Sequence, residues 1–183
     1  MLAAEEDVAN KVADLAAKKG LTVYQTVNDI LEQALRAEET GLNLKEVVDR
    51  SDSMRKAHEL GLTFTVEHLY YQVVDAAYKN DNAAITDLYR DMGFWYGKYF
   101  KTRGNDPVKA FNEALEFLTY GSQLKIEKGS DEDLKVNCIS EKYSVGYTNA
   151  FSIFLESAYS VLGYKIAESE VSRGIIKLRL EKR

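Results

Sequence analysis

One cysteine, one proline and two histidines are all that this chain of 183 residues holds of those three types. With Cys138 alone, no disulfide can form within the chain, which suits a reducing cytoplasm. Pro107 as the only proline, and no Ser/Gly-rich stretch, exclude a long flexible linker. Apolar runs extend only a few residues, too short for a membrane-spanning helix, so no membrane partner is expected. The opening MLAAEEDVANK lacks the basic and apolar regions of a signal peptide. An excess of basic charge is also missing. The net charge is -5, and residues 1–61 carry 8 Lys/Arg against 12 Asp/Glu, the reverse of the footprint of a nonspecific DNA binder.

Catalytic patterns are missing too. No carboxylate pair sits where one would be tuned as acid and the other as base, no serine lies in a nucleophile elbow, and GSDED lacks the EF-hand ligand spacing. Glu67-His68 with Asp75 could form a base and its orienter, but a solvated His68 is the simpler reading, as it is for His58. Cys138 alternates with Leu134 and Val136, the position of a buried, inert thiol. A protein without catalytic residues, metal or cofactor is expected.

What is present is an ordinary globular composition, 45% hydrophobic and 29% charged, with twelve tyrosines. A chain of this length buries roughly two-thirds of its unfolded surface without a disulfide or metal. Residues 5–19 set Val8, Val12, Leu15 and Ala16 at helical spacing, with acids leading, two lysines closing and Gly20 as the stop. Thr22 with Gln25 is a capping-box pattern that opens a second helix whose stripe is Val27, Ile30, Leu31, Ala34 and Leu35. Asn43 and Glu46 repeat the box before a short helix, LKEVVDR. The stretch 51–61 reads as a softer boundary.

Beyond it, residues 65–79 predict a helix with Leu69, Val73 and Ala76/Ala77 on one side, and residues 82–102 a longer one. RGNDP is a turn whose proline can open the next helix, where Val108, Phe111, Ala114/Leu115 and Leu118 share a face. The period then shortens. SQLKIEKG and LKVNCIS alternate about the turn GSDED, predicting an antiparallel hairpin. A helix over 147–163 follows, then two strands about the turn Ser172-Arg173-Gly174. The fold class expected is α+β: a helical segment over 1–50, then a domain over 62–183 with helices on an antiparallel sheet of about four strands.

Two resemblances bear on function. KKGLTVYQTVNDILEQAL, within residues 7–36, resembles the helical half of ribbon-helix-helix proteins through Gly20-Leu21-Thr22, Val27, Ile30 and Leu31. It implies a dimerising segment and hence a homodimer. The family's DNA-reading strand would precede residue 7, where only MLAAEED stands, so no base-reading residue carries over. Thr22 and Tyr24 match the phosphate-touching start of the second helix and are the DNA-backbone candidates. From about residue 85 to the end, LYRDMGFWYGKYF, FNEALEFLTYG, LKVNCIS, AFSIFLESAYSVLGYKIAESEV and IIKLRLEK resemble the 4-vinyl reductase domain and its relatives, the vesicle-tethering TRAPP subunits. The resemblance implies ligand sensing or scaffolding. Metal-binding members place cysteines near the final strands, where SEVSRGIIKL has none, so no metal is implied.

Within YRDMGFWYGKYF, Gly93 and Gly97 fall on one helical face, where they would let another backbone approach. A helical glycine costs ~1 kcal/mol relative to alanine, so two of them need a steric reason. The aromatics beside them can fill a core or wall a pocket. The expected pocket wall is Tyr89, Phe94, Trp95, Phe111, Phe117, Phe151, Phe154 and Tyr159. The function expected is a non-catalytic regulatory protein, with regulation of transcription as one form of it, that binds a small apolar ligand there. The alternatives are a TRAPP-like interaction scaffold and a ribbon-helix-helix DNA-binding regulator.

Overall fold

Residues 4–41, 43–103, 105–129 and 133–183 are described by the computed structural model. The chain divides into two compact units, residues 1–59 and 60–183.

The first unit is helical. Helix α1 (Glu6–Lys19) ends at Gly20, whose φ of 67° lets Leu21 N–H reach back to the Ala16 carbonyl. Thr22 then caps α2 (Val23–Glu39) with the reciprocal Thr22–Gln25 capping box that the spacing predicts. Ala16, Thr26 and Ala37 are buried between these helices, whereas Ile30, Leu31 and Leu35 of the expected apolar stripe remain exposed. Helix α3 (Leu44–Glu59) differs from expectation. It does not stop near residue 50 but continues through the softer stretch. Charge pairs at helical spacing carry it on: Arg55 reaches Asp52 at 2.5 Å and Glu59 at 2.8 Å, and Lys56 reaches Asp52 at 3.2 Å.

The second unit is the α+β domain. Helices α4 (Glu67–Asn80) and α5 (Asn82–Lys101) form a hairpin about Asp81, whose carboxylate accepts from Ala84 N–H and caps α5. Helix α6 (Pro107–Leu118) starts with proline at its first turn, capped by Asp106. Strands β1 (Gln123–Lys128) and β2 (Leu134–Ile139) form the predicted antiparallel hairpin, closed by Gly129 N–H to the Asp133 carbonyl at 2.7 Å. Ser130, Asp131 and Glu132 of the expected GSDED turn, and Gly104 of RGNDP, lie outside the described residues. Helix α7 (Val145–Val161) leads into β3 (Tyr164–Ser172) and β4 (Ile175–Lys182). The four strands run in the order β1-β2-β4-β3, antiparallel throughout.

Helix α7 begins two residues before the expected start because Ser144 caps it, and it is buried nearly all round. It packs against β3 and β4 and against both helices of the hairpin. Its buried face meets Leu134, Val136, Cys138, Ile176, Leu178 and Leu180 in one core with the aromatic residues. The glycines explain how α5 reaches α7. A Cβ built on Gly93 would intrude on the Phe154 carbonyl oxygen and lie 2.7 Å from Ser157 Cβ. One on Gly97 would lie 2.7 Å from Val161 Cβ and 2.8 Å from the Ala158 carbonyl. The two backbones pack so closely that no side chain fits between them.

Helix α4 turns the side that carries Leu69 and Val73 outward. Its buried residues are Tyr71 and Val74, while Leu69 and Val73 are each 58% exposed. Nearly every position of LYYQVV can pass as apolar, so periodicity alone does not select a face. The larger tyrosine ring, with a hydroxyl that reaches Glu67 Oε1 at 3.2 Å, takes the interior. Across the helix ends, Asp75 Oδ1 accepts from Gly146 N–H at 2.7 Å and ties α4 to the first turn of α7.

Candidate interaction face

The eight expected pocket residues separate into three environments. Phe111, Phe151, Phe154 and Tyr159 are in the core, where they meet one another directly. The Phe151 and Phe154 rings stack at 5.5 Å, Phe111 lies 6.3 Å from Phe154, and Tyr159 meets Phe111 edge-on at 5.2 Å. The Tyr159 hydroxyl donates to Asn112 Oδ1 at 2.7 Å. Tyr89 and Phe117 are half-buried at the margin of this core. Phe94 and Trp95 point outward, Trp95 at 51% exposure.

Among the described residues of this unit, none of the eight lines either of two clefts. One, of about 610 Å³, is bordered by Glu67, His68, Asp75, Lys142 and Arg173, with Tyr71 and Val145 in its lining. There Lys142 Nζ pairs with Glu67 Oε2 at 2.9 Å, and Asp75 is already engaged by α7. The other, of about 600 Å³, lies between α6 and the β1–β2 hairpin. Its floor is Val108, Leu124, Ile126, Leu134, Leu162 and Tyr164.

Tyrosine hydroxyls form a second layer at the helical hairpin. Tyr70 and Tyr89 share a hydrogen bond of 2.7 Å across α4 and α5, above the ring of Tyr147. Burial pushes the Tyr89 and Tyr147 hydroxyls above their ordinary range, so both stay protonated at neutral pH. Tyr143 shares a 2.6 Å hydrogen bond with Ser122 and lies 3.7 Å from Cys138 Sγ. Burial raises the Cys138 thiol as well, which keeps it protonated and unreactive. The Glu156 carboxyl is raised by burial, partly offset by a hydrogen bond from Ser169. Among the described residues no cluster of His, Cys, Asp and Glu is arranged to hold a metal ion, and no helix is long and apolar enough to cross a membrane.

The outer side of the α4–α5 hairpin presents an unusual surface. Leu69 and Val73 stand one position before and three after Tyr70, and Leu88 and Met92 stand in the same relation to Tyr89. In a hairpin joined through Tyr70 and Tyr89, that relation turns both strips to the same side, away from α7. Val66 extends the α4 strip and Trp95 the α5 strip, all exposed and none charged. Sequence reasoning set Leu69 and Val73 on one side of α4 without saying which way that side turns, and Trp95 in a pocket wall. The sequence sets Met92, Trp95 and Tyr99 on a stripe of their own, and with Leu88 they form the uncharged row on the opposite side of α5 from Gly93 and Gly97 that signals the face.

In the first unit, the Thr22 hydroxyl is engaged in its capping box and Tyr24 is 79% exposed. No protein family, characterised protein or solved structure matches the chain.

Proposed function

We propose that this is a non-catalytic cytoplasmic interaction module that works through the outer face of the α4–α5 hairpin. The observation that carries the reading is the uncharged strip across two helices, with Leu69, Val73, Leu88, Met92 and Trp95 all exposed. Apolar patches spanning several large side chains mark interaction sites on soluble proteins. Tryptophan and methionine are enriched at such sites relative to the rest of the surface. The resemblance of residues 85–183 to TRAPP subunits, which work through their surfaces, supports the same assignment. So does the single buried cysteine, which is at home in a reducing compartment.

Hydroxyl-radical footprinting tests the face. In dilute purified protein, Met92 and Trp95 are expected to oxidise readily, alongside the isolated surface residue Tyr120, which is 89% exposed. In concentrated protein or in an extract of the expressing cells, Met92 and Trp95 should become several-fold less reactive while Tyr120 does not change. Equal reactivity of all three under every condition would show that the face has no occupant.

The cleft between α6 and the β1–β2 hairpin favours a second reading, the binding of a small apolar ligand. Its volume of about 600 Å³ is of the size that ligand sites have, and its apolar floor is rimmed by charged side chains, Lys109, Glu113, Glu116 and Lys182 among them. Native mass spectrometry on protein from its natural source is expected to show a retained mass of a few hundred daltons. A bare chain mass would remove this reading.

A further inference from the structure

Resting on the interaction-module reading, we propose that the occupant of the α4–α5 face is a second copy of this chain, with the two α5 helices antiparallel about a two-fold axis near Phe94 and Trp95. The argument comes from the charges that border the strip. Along the edge of α5 away from α4, the sequence sets Asp87, Asp91, Phe94, Lys98 and Lys101 at helical spacing, all exposed. The edge is acidic toward the amino end, apolar at its middle and basic toward the carboxy end.

That order is self-complementary in one orientation only. An antiparallel pairing centred between residues 94 and 95 sets Asp91 against Lys98 of the second copy, and Asp87 within one residue of its Lys101. A parallel pairing sets acid on acid and lysine on lysine, which opposes association. Asp91, Lys98 and Lys101 have no ion-pair partner among the described residues, while Asp87 holds Arg90. A two-fold interface uses the same patch on both copies, so one edge that complements itself is what such an interface needs.

Size and rigidity both bear on this. Helix α5, with 20 residues, is about 30 Å long. With α4, of 14 residues and about 21 Å, beside it, the face covers on the order of 500 Å². This is over half of the roughly 800 Å² per partner of a stable protein interface. Gly93 and Gly97 hold the back of α5 directly on α7, so the face is preorganised and little ordering cost accompanies pairing.

Sedimentation velocity on the full chain at low salt tests the proposal, with Asp91→Lys, Lys98→Glu, the double reversal and Trp95→Ala as variants. Two-fold symmetry repeats each ion pair, so each single reversal is expected to weaken the dimer about tenfold. The double reversal should return it to within about threefold of the original. Emission of Trp95, the chain's one tryptophan, should shift to the blue on dimerisation and fall back on dilution. Two results overturn the proposal: a chain that stays monomeric up to about 100 µM, or a dimer indifferent to the single reversals, as one formed through α2 would be. In the first case, protection of Met92 and Trp95 in the extract would leave the interaction reading standing with a different partner, and its absence would remove both.

Discussion

Gly93→Ala is expected to destabilise the second unit by about 3 kcal/mol or more, read as a fall in the midpoint of urea or thermal unfolding. At an open helical position the same change gains about 1 kcal/mol, because alanine is the better helix former. Here the sign reverses. The added methyl group has no free volume: it meets the backbone carbonyl of Phe154 on one side and Ser157 Cβ on the other. A flexible side chain could turn away from such a contact, but a carbonyl inside α7 cannot move without shifting the helix. Gly97→Ala meets Val161 Cβ and the Ala158 carbonyl and is expected to behave alike, with somewhat smaller cost because the valine can shift. An unfolding midpoint unchanged by Gly93→Ala would show that α5 does not seat on α7 at this distance.

Phe111→Ala is the second large effect, expected at about 3–5 kcal/mol. Phe111 is fully buried, with rings of Phe100 at 5.7 Å, Tyr159 at 5.2 Å and Phe154 at 6.3 Å around it. Removing the ring forfeits burial free energy and leaves a cavity whose aromatic walls have few ways to close. Trp95→Ala, in the same set of candidate aromatics, is expected to cost less than about 1 kcal/mol of fold stability. Its effect should appear in association instead. The pair therefore separates core from surface among five of the eight candidates: unfolding midpoints respond to Phe111, Phe151, Phe154 and Tyr159, and self-association responds to Trp95. A Phe111→Ala protein as stable as the parent would mean that the core already has room around that ring, as an aromatic pocket requires.

Much of the fold was legible in the chain itself. Local chemistry is short-ranged: Gly20 as a left-handed stop, the Thr22–Gln25 box, Asp81 and Asp106 as caps, Pro107 in a first turn, and alternation in LKIEK and LKVNCI each act within a few residues. The α+β class and the two hairpins follow from these together. Gly93 and Gly97 likewise announce a close approach, because their helix-propensity cost needs a steric return.

Which backbone makes that approach, and which face of a helix is inside, were decided by tertiary structure. In LYYQVV, every other position offers an apolar choice, and only the seat against α7 puts Tyr71 and Val74 inward and leaves Leu69 and Val73 in solvent. Helix α3 reads in sequence as a short helix followed by a softer boundary, yet its charge ladder carries it through that boundary. In YRDMGFWYGKYF the sequence already separates a stripe of Tyr89, Tyr96 and Phe100 from one of Met92, Trp95 and Tyr99, but does not decide which of them is buried. A helix turns by 100° per residue, so Tyr96 and Phe100 enter the core with the glycines while Trp95 and Phe94 leave it. Sequence determined that this helix would carry small residues for contact and large ones for burial. Only the packing of α5 on α7 decided which large residues were left over, and those exposed side chains form the proposed interface.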